Sequence, residues 1–338
     1  MRKNIFKLFM FSLLTATVFL LVGCTRGKDF TSFTKEYEQT LTAINLSLDI
    51  SDIDVKKTDG DKITLHYYDT EKNFYGIKEE DGVLTVSRST DGELKENIRF
   101  GLGMKKYYKV SLSVPNGYEG EITLQTVSGD ISVKDISAEN QNVTVKSESG
   151  NVKAEDISVS TLSIDGKSSE IVIKNINAEK VDVTTVAGEV ITSNIECASY
   201  AVRGEAAEVD LKNVSIGQAS ITLTSGDVDI DNAKIGSSVY ISVTSGDIEA
   251  DGLDASFCTA TSKSGNIYLD NLWIGGGVYL ISDSGDIEAR ISDSVSGFTI
   301  DSVSDYGKNN LEGIKGLGGF KNLTVRNVTG DIDVRFVS

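Results

Sequence analysis

The sequence predicts an all-β protein, a right-handed parallel β-solenoid of about ten coils with an antiparallel β cap at its N-terminal end. Three observations support this fold class. A short Ser-Gly-Asp phrase recurs at a spacing of about 20 residues. Hydrophobic residues fall into columns once that phrase is aligned. Connections between parallel strands are right-handed in nearly all proteins, which favours a right-handed coil.

The recurring phrase first appears at Ser128–Asp130 and last at Thr329–Asp331. Some copies are degenerate, with Ser169 or Ala207 in the place of glycine. The central position falls at residues 129, 150, 169, 188, 207, 226, 246, 265 and 285, which are 19 to 21 residues apart. A fixed period in this range is typical of a solenoid in which each repeat is one coil. Glycine accepts a positive φ, and Asp or Asn bonds to nearby backbone, so the phrase predicts a tight turn.

The hydrophobic columns predict strands with one buried face. In one repeat they are Val143 and Val145, which precede the glycine position by seven and five residues, and Val152, which follows it by two. Polar residues alternate with them, as in half-buried strands. We therefore expect two short strands and a corner per coil. Successive coils lie about 4.8 Å apart, so ten coils make a rod roughly 50 Å long.

The first 23 residues resemble a lipoprotein signal peptide, with basic residues followed by an apolar run from Leu8 to Val22. The run ends in Leu21-Val22-Gly23-Cys24, which resembles the bacterial lipobox. This resemblance implies that Cys24 is diacylated, which would anchor the chain stably. An uncleaved membrane helix is the alternative. Residues 24–40 are polar and predict a membrane tether.

Residues 41–114 remain β-rich but lack the repeat. Asp59-Gly60 and Asp81-Gly82 lie between alternating runs, which indicates hairpins and an antiparallel cap over the first coil. The solenoid is predicted for residues 115–338, starting at the single proline, Pro115. A glycine-rich insertion at 306–321 interrupts it and is expected to fold over or beside the last coil.

These residues resemble the bacterial putative-adhesin family, a β-strand-repeat domain of unknown function. The resemblance rests on the lipobox, the turn at Val114-Pro115-Asn116-Gly117 and the Ser-Gly-Asp-Ile units, and it covers residues 41–338. It implies a location on the bacterial cell surface, and some relatives belong to envelope-stress systems. It carries over no catalytic residue.

The composition argues against an enzyme and against a nucleic-acid partner. The formal net charge of -17 would repel phosphates and acidic glycans. Pectate-lyase-like solenoids do act on polysaccharides, but the single histidine, His66, lies outside the repeats. No Ser-His-Asp, zinc-binding or phosphate-loop pattern is present in the sequence. We expect no catalytic activity and no cofactor.

The acidic residues of the turns form one candidate site. Asp227, Asp247 and Asp286 follow turn glycines and should lie in a column along the rod. Turn chemistry with solvated carboxylates is the favoured interpretation. Weak binding of Ca²⁺ along this column of carboxylates is the alternative, because hard cations bind carboxylate oxygens.

Exposed aromatic residues form the other candidate site. Tyr240 and Tyr279 occupy the same outward column two coils, or about 10 Å, apart. Together with Tyr268 and Trp273 they could stack against sugar rings. Ordinary surface tyrosines, or a contact with a neighbouring protein, are the alternative.

These features predict a non-catalytic, adhesin-like binding protein, lipid-anchored at the extracytoplasmic face of the cell membrane. Its expected partners are the membrane, through the anchor, and a cell-envelope glycan or protein. A regulatory component of a cell-envelope stress response is the alternative, and a polysaccharide-active enzyme is less favoured.

Overall fold

A computed structural model describes residues 30–70, 75–88, 107–314 and 318–337. These residues form strands and turns with one 3-10 turn, Val295–Gly297, and contain no α-helix. The predicted signal peptide, with Cys24, lies outside them. The N-terminal strands are β1 (Thr31–Tyr37), β2 (Ala43–Leu48), β3 (Asp52–Thr58), β4 (Ile63–Asp69), β5 (Tyr75–Glu80), β6 (Val83–Arg88) and β7 (Lys109–Pro115). The repeats form β8 (Glu121–Thr126), β9 (Ile131–Lys134), β10 (Ser137–Ser147), β11 (Val152–Ser168), β12 (Ile171–Ser225), β13 (Val228–Ser245), β14 (Ile248–Ser264), β15 (Ile267–Ser284) and β16 (Ile287–Ile291). The chain ends with β17 (Phe298–Ser304), β18 (Lys321–Asn327) and β19 (Ile332–Phe336).

The repeats stack in parallel, which confirms the predicted solenoid. Val152 of β11 pairs with Ile171 of β12, and Val228 of β13 pairs with Ile248 of β14. Each step advances the chain by about one 20-residue repeat, and the same register continues from β8 to β15. The parallel solenoid of about ten coils is therefore the architecture of the described chain. Its right-handed sense remains a prediction.

Each coil has three faces, where the sequence predicted two strands and a corner. In β13 the exit face, residues 228–231, leaves the glycine turn, and the far face, residues 233–235, follows it. The approach face, residues 238–245, then leads into the next glycine turn. Between the exit and far faces lies Asn232, whose φ of 57° bends the chain sharply. We use these three names for the equivalent residues of every coil.

One continuous hydrophobic core runs through the rod. On the exit face of β13, Val228 and Ile230 are each 1% exposed, and Val239 and Ile241 are as deeply buried on its approach face. Polar residues alternate with them on the outside. Burying each such aliphatic side chain contributes about 1.5–3 kcal/mol relative to leaving it in water. The stacked columns therefore stabilise every coil against its neighbours.

The N-terminal end contains two further coils whose spatial order differs from their order in the chain. β2 and β3 lie directly on β8 and β9, parallel to them. β6 and β7 lie on the other side of β2 and β3, also in parallel. β1, β4 and β5 then add antiparallel pairings: β5 to β6, β4 to β7 and β1 to β4. The antiparallel cap is therefore present.

Two predicted boundaries need correction. The cap was predicted over residues 41–114, but β2, β3, β6 and β7 belong to the parallel stack, and only β1, β4 and β5 pair antiparallel. Their repeat is hidden because β4 and β5 separate the inner coil, β2 and β3, from the outer coil, β6 and β7, in sequence. The tether predicted over 24–40 is wrong for Thr31–Tyr37, which form β1 and pair with β4. Phe33 of β1 stacks on Tyr67 of β4, which gives that strand an apolar anchor.

The C-terminal end also departs from chain order. β18 pairs with the approach face of β15, and β17, which precedes it in sequence, lies outside β18. β19 pairs with β16, and Asn309 then bridges to Ile332 of β19. The chain after β17 therefore passes beside β19 at Asn309, and at Ile332 β19 has a neighbour on each side.

Candidate functional site

The glycine turns bring successive coils into very close contact. A Cβ added to Gly226 would lie 1.9 Å from the carbonyl oxygen of Ala207, and one added to Gly265 would lie 2.0 Å from that of Gly246. Gly330 approaches Gly285 in the same way. No side chain fits at such distances, so packing requires glycine at these turns, although the copies at Ser169 and Ala207 carry a side chain. We call this edge of the rod the turn corner.

The acidic residues of the turn corner are engaged in a backbone ladder. Oδ1 of Asp227 accepts a hydrogen bond from the backbone N–H of Asp247 at 2.7 Å, and Oδ1 of Asp247 accepts one from Asn266 at 2.6 Å. Asn266 and Asp286 extend the ladder toward Asp331. Asn serves as well as Asp, because the ladder needs only an acceptor oxygen. These contacts give the column a structural role.

The three candidate calcium ligands, Asp227, Asp247 and Asp286, therefore each have one oxygen committed to the neighbouring coil. The part of the chain that the structure describes holds no group of three or more His, Cys, Asp or Glu side chains arranged for a metal ion. Turn chemistry stays the favoured interpretation of these carboxylates, and weak Ca²⁺ binding stays the alternative.

Negative charges lie close together in the three successive turns where glutamate replaces aspartate, at Glu170, Glu189 and Glu208. Burial raises the pKa of Glu189, and the neighbouring carboxylates of Asp210, Glu208 and Glu170 raise it further. Burial and the adjacent Asp229 likewise raise the pKa of Asp210, although Lys212 opposes this. The exit face near these residues therefore carries unfavourable electrostatic repulsion in the folded state.

The four predicted aromatic residues do not form one group. Tyr240 and Tyr279 lie on the approach face, each paired in register with Thr259 of the coil between them. Tyr268 lies on the exit face between Glu249 and Glu288, and Trp273 lies on the far face beside Asp254. The expectation that all four lie together is wrong, because each coil has three faces and the corners turn these residues to different sides.

The structure adds an aromatic residue that the sequence reasoning missed. Phe257 lies on the approach face in the coil between those of Tyr240 and Tyr279, and its ring borders Gly277 together with the Tyr279 ring. Tyr240 is 45% exposed, Phe257 50% and Tyr279 39%. We call these three residues the aromatic patch. The signal in the sequence that could have identified Phe257 was a phenylalanine outside the hydrophobic columns.

A second corner separates the exit face from the far face, and asparagine dominates it. Its residues have positive φ, and they are Asp135, Asp156, Asn175, Asn194, Asn213, Asn232, Gly252 and Asn271. Nδ2 of Asn175 donates to Oδ1 of Asp156 at 2.8 Å, and Nδ2 of Asn232 donates to Oδ1 of Asn213 at 2.7 Å. We call this edge the asparagine corner. The recurrence of Asn at 19-residue intervals was visible in the sequence but was not used.

A long groove of about 1040 Å³ follows the asparagine corner. Its lining runs from Lys57 and Asp135 at one end to Asn232 and Lys234 at the other. Buried aliphatic residues of the far face, from Ile136 to Val214, line it between two polar edges. It spans seven coils, which corresponds to about 29 Å along the rod.

The single histidine lies in the N-terminal cap, away from the groove and the patch. Nε2 of His66 is 2.9 Å from Oγ of Ser32, and burial lowers the pKa of the imidazole. Its ring contacts Tyr68 edge-on. These neighbours give His66 a packing role between β1 and β4.

The family model described as Toastrack DUF4097 matches this chain twice, over residues 41–205 and 191–335. The chain belongs to the Toastrack family. The two matches overlap within the repeats, as expected when every coil resembles the next. Toastrack membership confirms the resemblance to a repeat domain of unknown function.

Two solved structures resemble this Toastrack chain at low identity. A putative adhesin from Bacteroides fragilis has 12% identity over 92% of this chain and 100% of its own, with a TM-score of 0.30. A putative cell adhesion protein from Clostridium sporogenes has 10% identity over 91% of this chain and 100% of its own, with a TM-score of 0.21. Curated proteins give no match. Among the described residues of this Toastrack chain, no helix is long and apolar enough to span a membrane.

Proposed function

We propose that this protein is a non-catalytic binding protein of the bacterial cell envelope. The observation that carries the proposal is the aromatic patch on the approach face. Tyr240, Phe257 and Tyr279 lie in three successive coils of a rigid rod, on a face where the equivalent positions of neighbouring coils are Thr259 and Thr324. Clustered exposed aromatic residues on a soluble domain are typical of interaction sites.

The chemistry of the described surface favours binding over catalysis. The acids of the turn corner are held by backbone N–H groups, and His66 is packed within the cap. A rod whose coils are fixed by stacking presents its surface groups at constant spacing, which lowers the entropy cost of binding. The patch would supply apolar contact area to an envelope glycan or protein.

The export signal and the lipobox support a location outside the cytoplasmic membrane. Acylated Cys24 would hold the rod by the end that carries the cap, since β1 begins seven residues later. The glycine-rich terminal coil would then point away from the membrane. Cys24→Ser is expected to release the protein from the membrane fraction. Retention of this variant would instead indicate an uncleaved membrane helix.

The binding role is tested with the double variant Tyr240→Thr/Tyr279→Thr. Thr occupies the same column natively at Thr259 and Thr324, so the strands should form as before. The variant should bind isolated cell envelopes about tenfold more weakly than wild type, because two aromatic contacts of about 0.5–1.5 kcal/mol are lost. Co-sedimentation of the full-length protein with envelopes measures this.

Tyr306→Thr is the matched control. Tyr306 is more exposed than either patch tyrosine but lies at the turn corner of the terminal coil, where its N–H donates to the carbonyl of Val328. This variant should bind as wild type does. Equal binding by wild type and the double variant would exclude the patch as the binding surface.

A further inference from the structure

We infer that the groove along the asparagine corner, with Trp273 at its end, binds an extended strand of uncharged polysaccharide. This inference rests on the binding role proposed above and names a ligand class and a path for it. The groove lies on the far face, so it is separate from the aromatic patch.

The groove has the shape that an extended polymer needs. It runs along the stack, because equivalent residues of the far face pair in parallel from coil to coil. It presents one asparagine-corner residue per coil, at intervals of about 4.8 Å. Its length of about 29 Å exceeds what a single small metabolite would occupy. The repeating geometry of the wall suits a ligand that itself repeats.

The lining is rich in neutral hydrogen-bonding groups. Nδ2 of Asn194 donates to Oδ1 of Asn175 at 3.2 Å, and the Asn232–Asn213 contact is equivalent. An amide has two N–H donors and two acceptor lone pairs, so each residue in this ladder keeps capacity toward the groove. The opposite edge adds Asn177 and Ser215. Sugar hydroxyl groups, which both donate and accept, complement such a lining.

The charge distribution favours a neutral ligand. The chain has a formal net charge of -17, which repels anionic polymers at long range. In the central part of the groove, between Asn175 and Ser215, Glu196 is the single charged residue of the lining. The centre of the groove is therefore a weakly charged part of this acidic surface, where an uncharged strand can replace water. Asp59, Asp135 and Asp156 lie toward the N-terminal end of the groove, so no continuous line of carboxylates runs along it for a polycation.

Trp273 lies two coils beyond the end of the groove lining, toward the C-terminal end of the rod. The outward edge of the far face continues in register from Ser215 to Lys234, then to Asp254 and to Trp273. The indole is 57% exposed and lies about 10 Å beyond Lys234 along the rod. A strand that follows the groove toward the C-terminal end would meet it. Sugar rings have an apolar face that stacks on an indole, and this contact would hold the end of the strand.

Because Trp273 is the single tryptophan of the chain, its fluorescence reports directly on this site. The full-length protein, in a detergent without a sugar headgroup, is titrated with uncharged glucose and N-acetylglucosamine oligomers of increasing length. We expect a saturable change in emission, with an affinity that increases with oligomer length until the groove is filled. Polygalacturonate, which is anionic, should give no change.

The groove variants are Asn194→Gly/Asn213→Gly and Asn194→Asp/Asn213→Asp. Gly252 and Asp156 occupy this corner natively with positive φ, so both replacements suit the backbone. Each removes side-chain N–H donors and should weaken oligomer binding by roughly tenfold. The Asp pair provides a second folded variant if the Gly pair is too flexible. Tyr306→Thr, at the turn corner and outside the groove lining, is the control and should bind the oligomers as wild type does.

Unchanged affinity in both groove variants would overturn the inference, as would binding of an uncharged extended peptide in preference to the oligomers. An absence of oligomer binding would overturn it as well. The co-sedimentation with cell envelopes is a separate test, which measures binding through the aromatic patch. Envelope binding that depends on the patch but not on the groove would leave the proposed function intact while this inference fails.

Discussion

The turn corner and the asparagine corner run along the same rod, yet they use polar residues in different ways. At the turn corner a Cβ on Gly226 would collide with the carbonyl of Ala207, and the acids accept hydrogen bonds from the next coil's backbone. At the asparagine corner the atom nearest to a Cβ on Gly252 would be 3.5 Å away, and the amides bond side chain to side chain. The turn corner is therefore structural, and the asparagine corner leaves groups available for a ligand.

The largest expected difference between the corners is in their tolerance of a methyl group. Gly226→Ala should destabilise the fold by about 3 kcal/mol or more, because the added Cβ would force two coils apart. Gly252→Ala should cost only about 1–2 kcal/mol, the price of a left-handed conformation in free space. Chemical denaturation of both variants measures the difference. Similar losses would mean that the turn corner is not tightly packed.

The next effect concerns the acceptor ladder. Asp247→Ala removes the acceptor for the Asn266 N–H and should reduce the free energy of unfolding by about 1 kcal/mol. Asp247→Asn keeps an acceptor oxygen and should be close to wild type, since Asn266 already serves this role natively. Urea denaturation of the three proteins compares them. If Ala and Asn were equally harmful, the charge rather than the acceptor would be the stabilising feature.

A smaller effect should come from the pH dependence of the turn corner. The pKa of Glu189 is raised from its ordinary value of 4.5 by burial and by Asp210, Glu208 and Glu170, so its ionisation opposes folding. The penalty is absent well below pH 4.5 and complete once the pH exceeds the raised pKa. Glu189→Gln should therefore stabilise the protein at pH 7 by a few tenths of a kcal/mol. The gain should disappear on acidification, and a gain independent of pH would contradict this explanation.

Calcium should have the smallest effect. Asp227, Asp247 and Asp286 use one oxygen each in the ladder, so a cation would gain few ligands without disrupting it. We expect millimolar calcium to leave the thermal midpoint of the full-length protein unchanged. An increase that Asp247→Asn abolishes would instead establish calcium binding along this column of carboxylates.

The sequence predicted the solenoid well because its columns are periodic, and every coil repeats the same alternation around positions such as Val228 and Ile230. The sequence did not predict the spatial order of the strands at the two ends of the rod, and the reason is topological. β18 lies inside β17, and β2 lies between β6 and β8, and such an exchange leaves no periodic signal in the chain. The faces on which the candidate site residues lie could not be predicted from the sequence either, because the corners within a coil were not all recognised. Trp273 and Tyr279 are six residues apart but face different directions, because a corner lies between them.

The most direct test of the contrast between the two corners is the Trp273 titration with uncharged oligomers, performed on one variant from each. Asp247→Asn changes the turn corner and should bind as wild type does. Asn194→Gly/Asn213→Gly changes the asparagine corner and should bind roughly tenfold more weakly. Loss of binding in Asp247→Asn, with normal binding in the asparagine variant, would contradict the account.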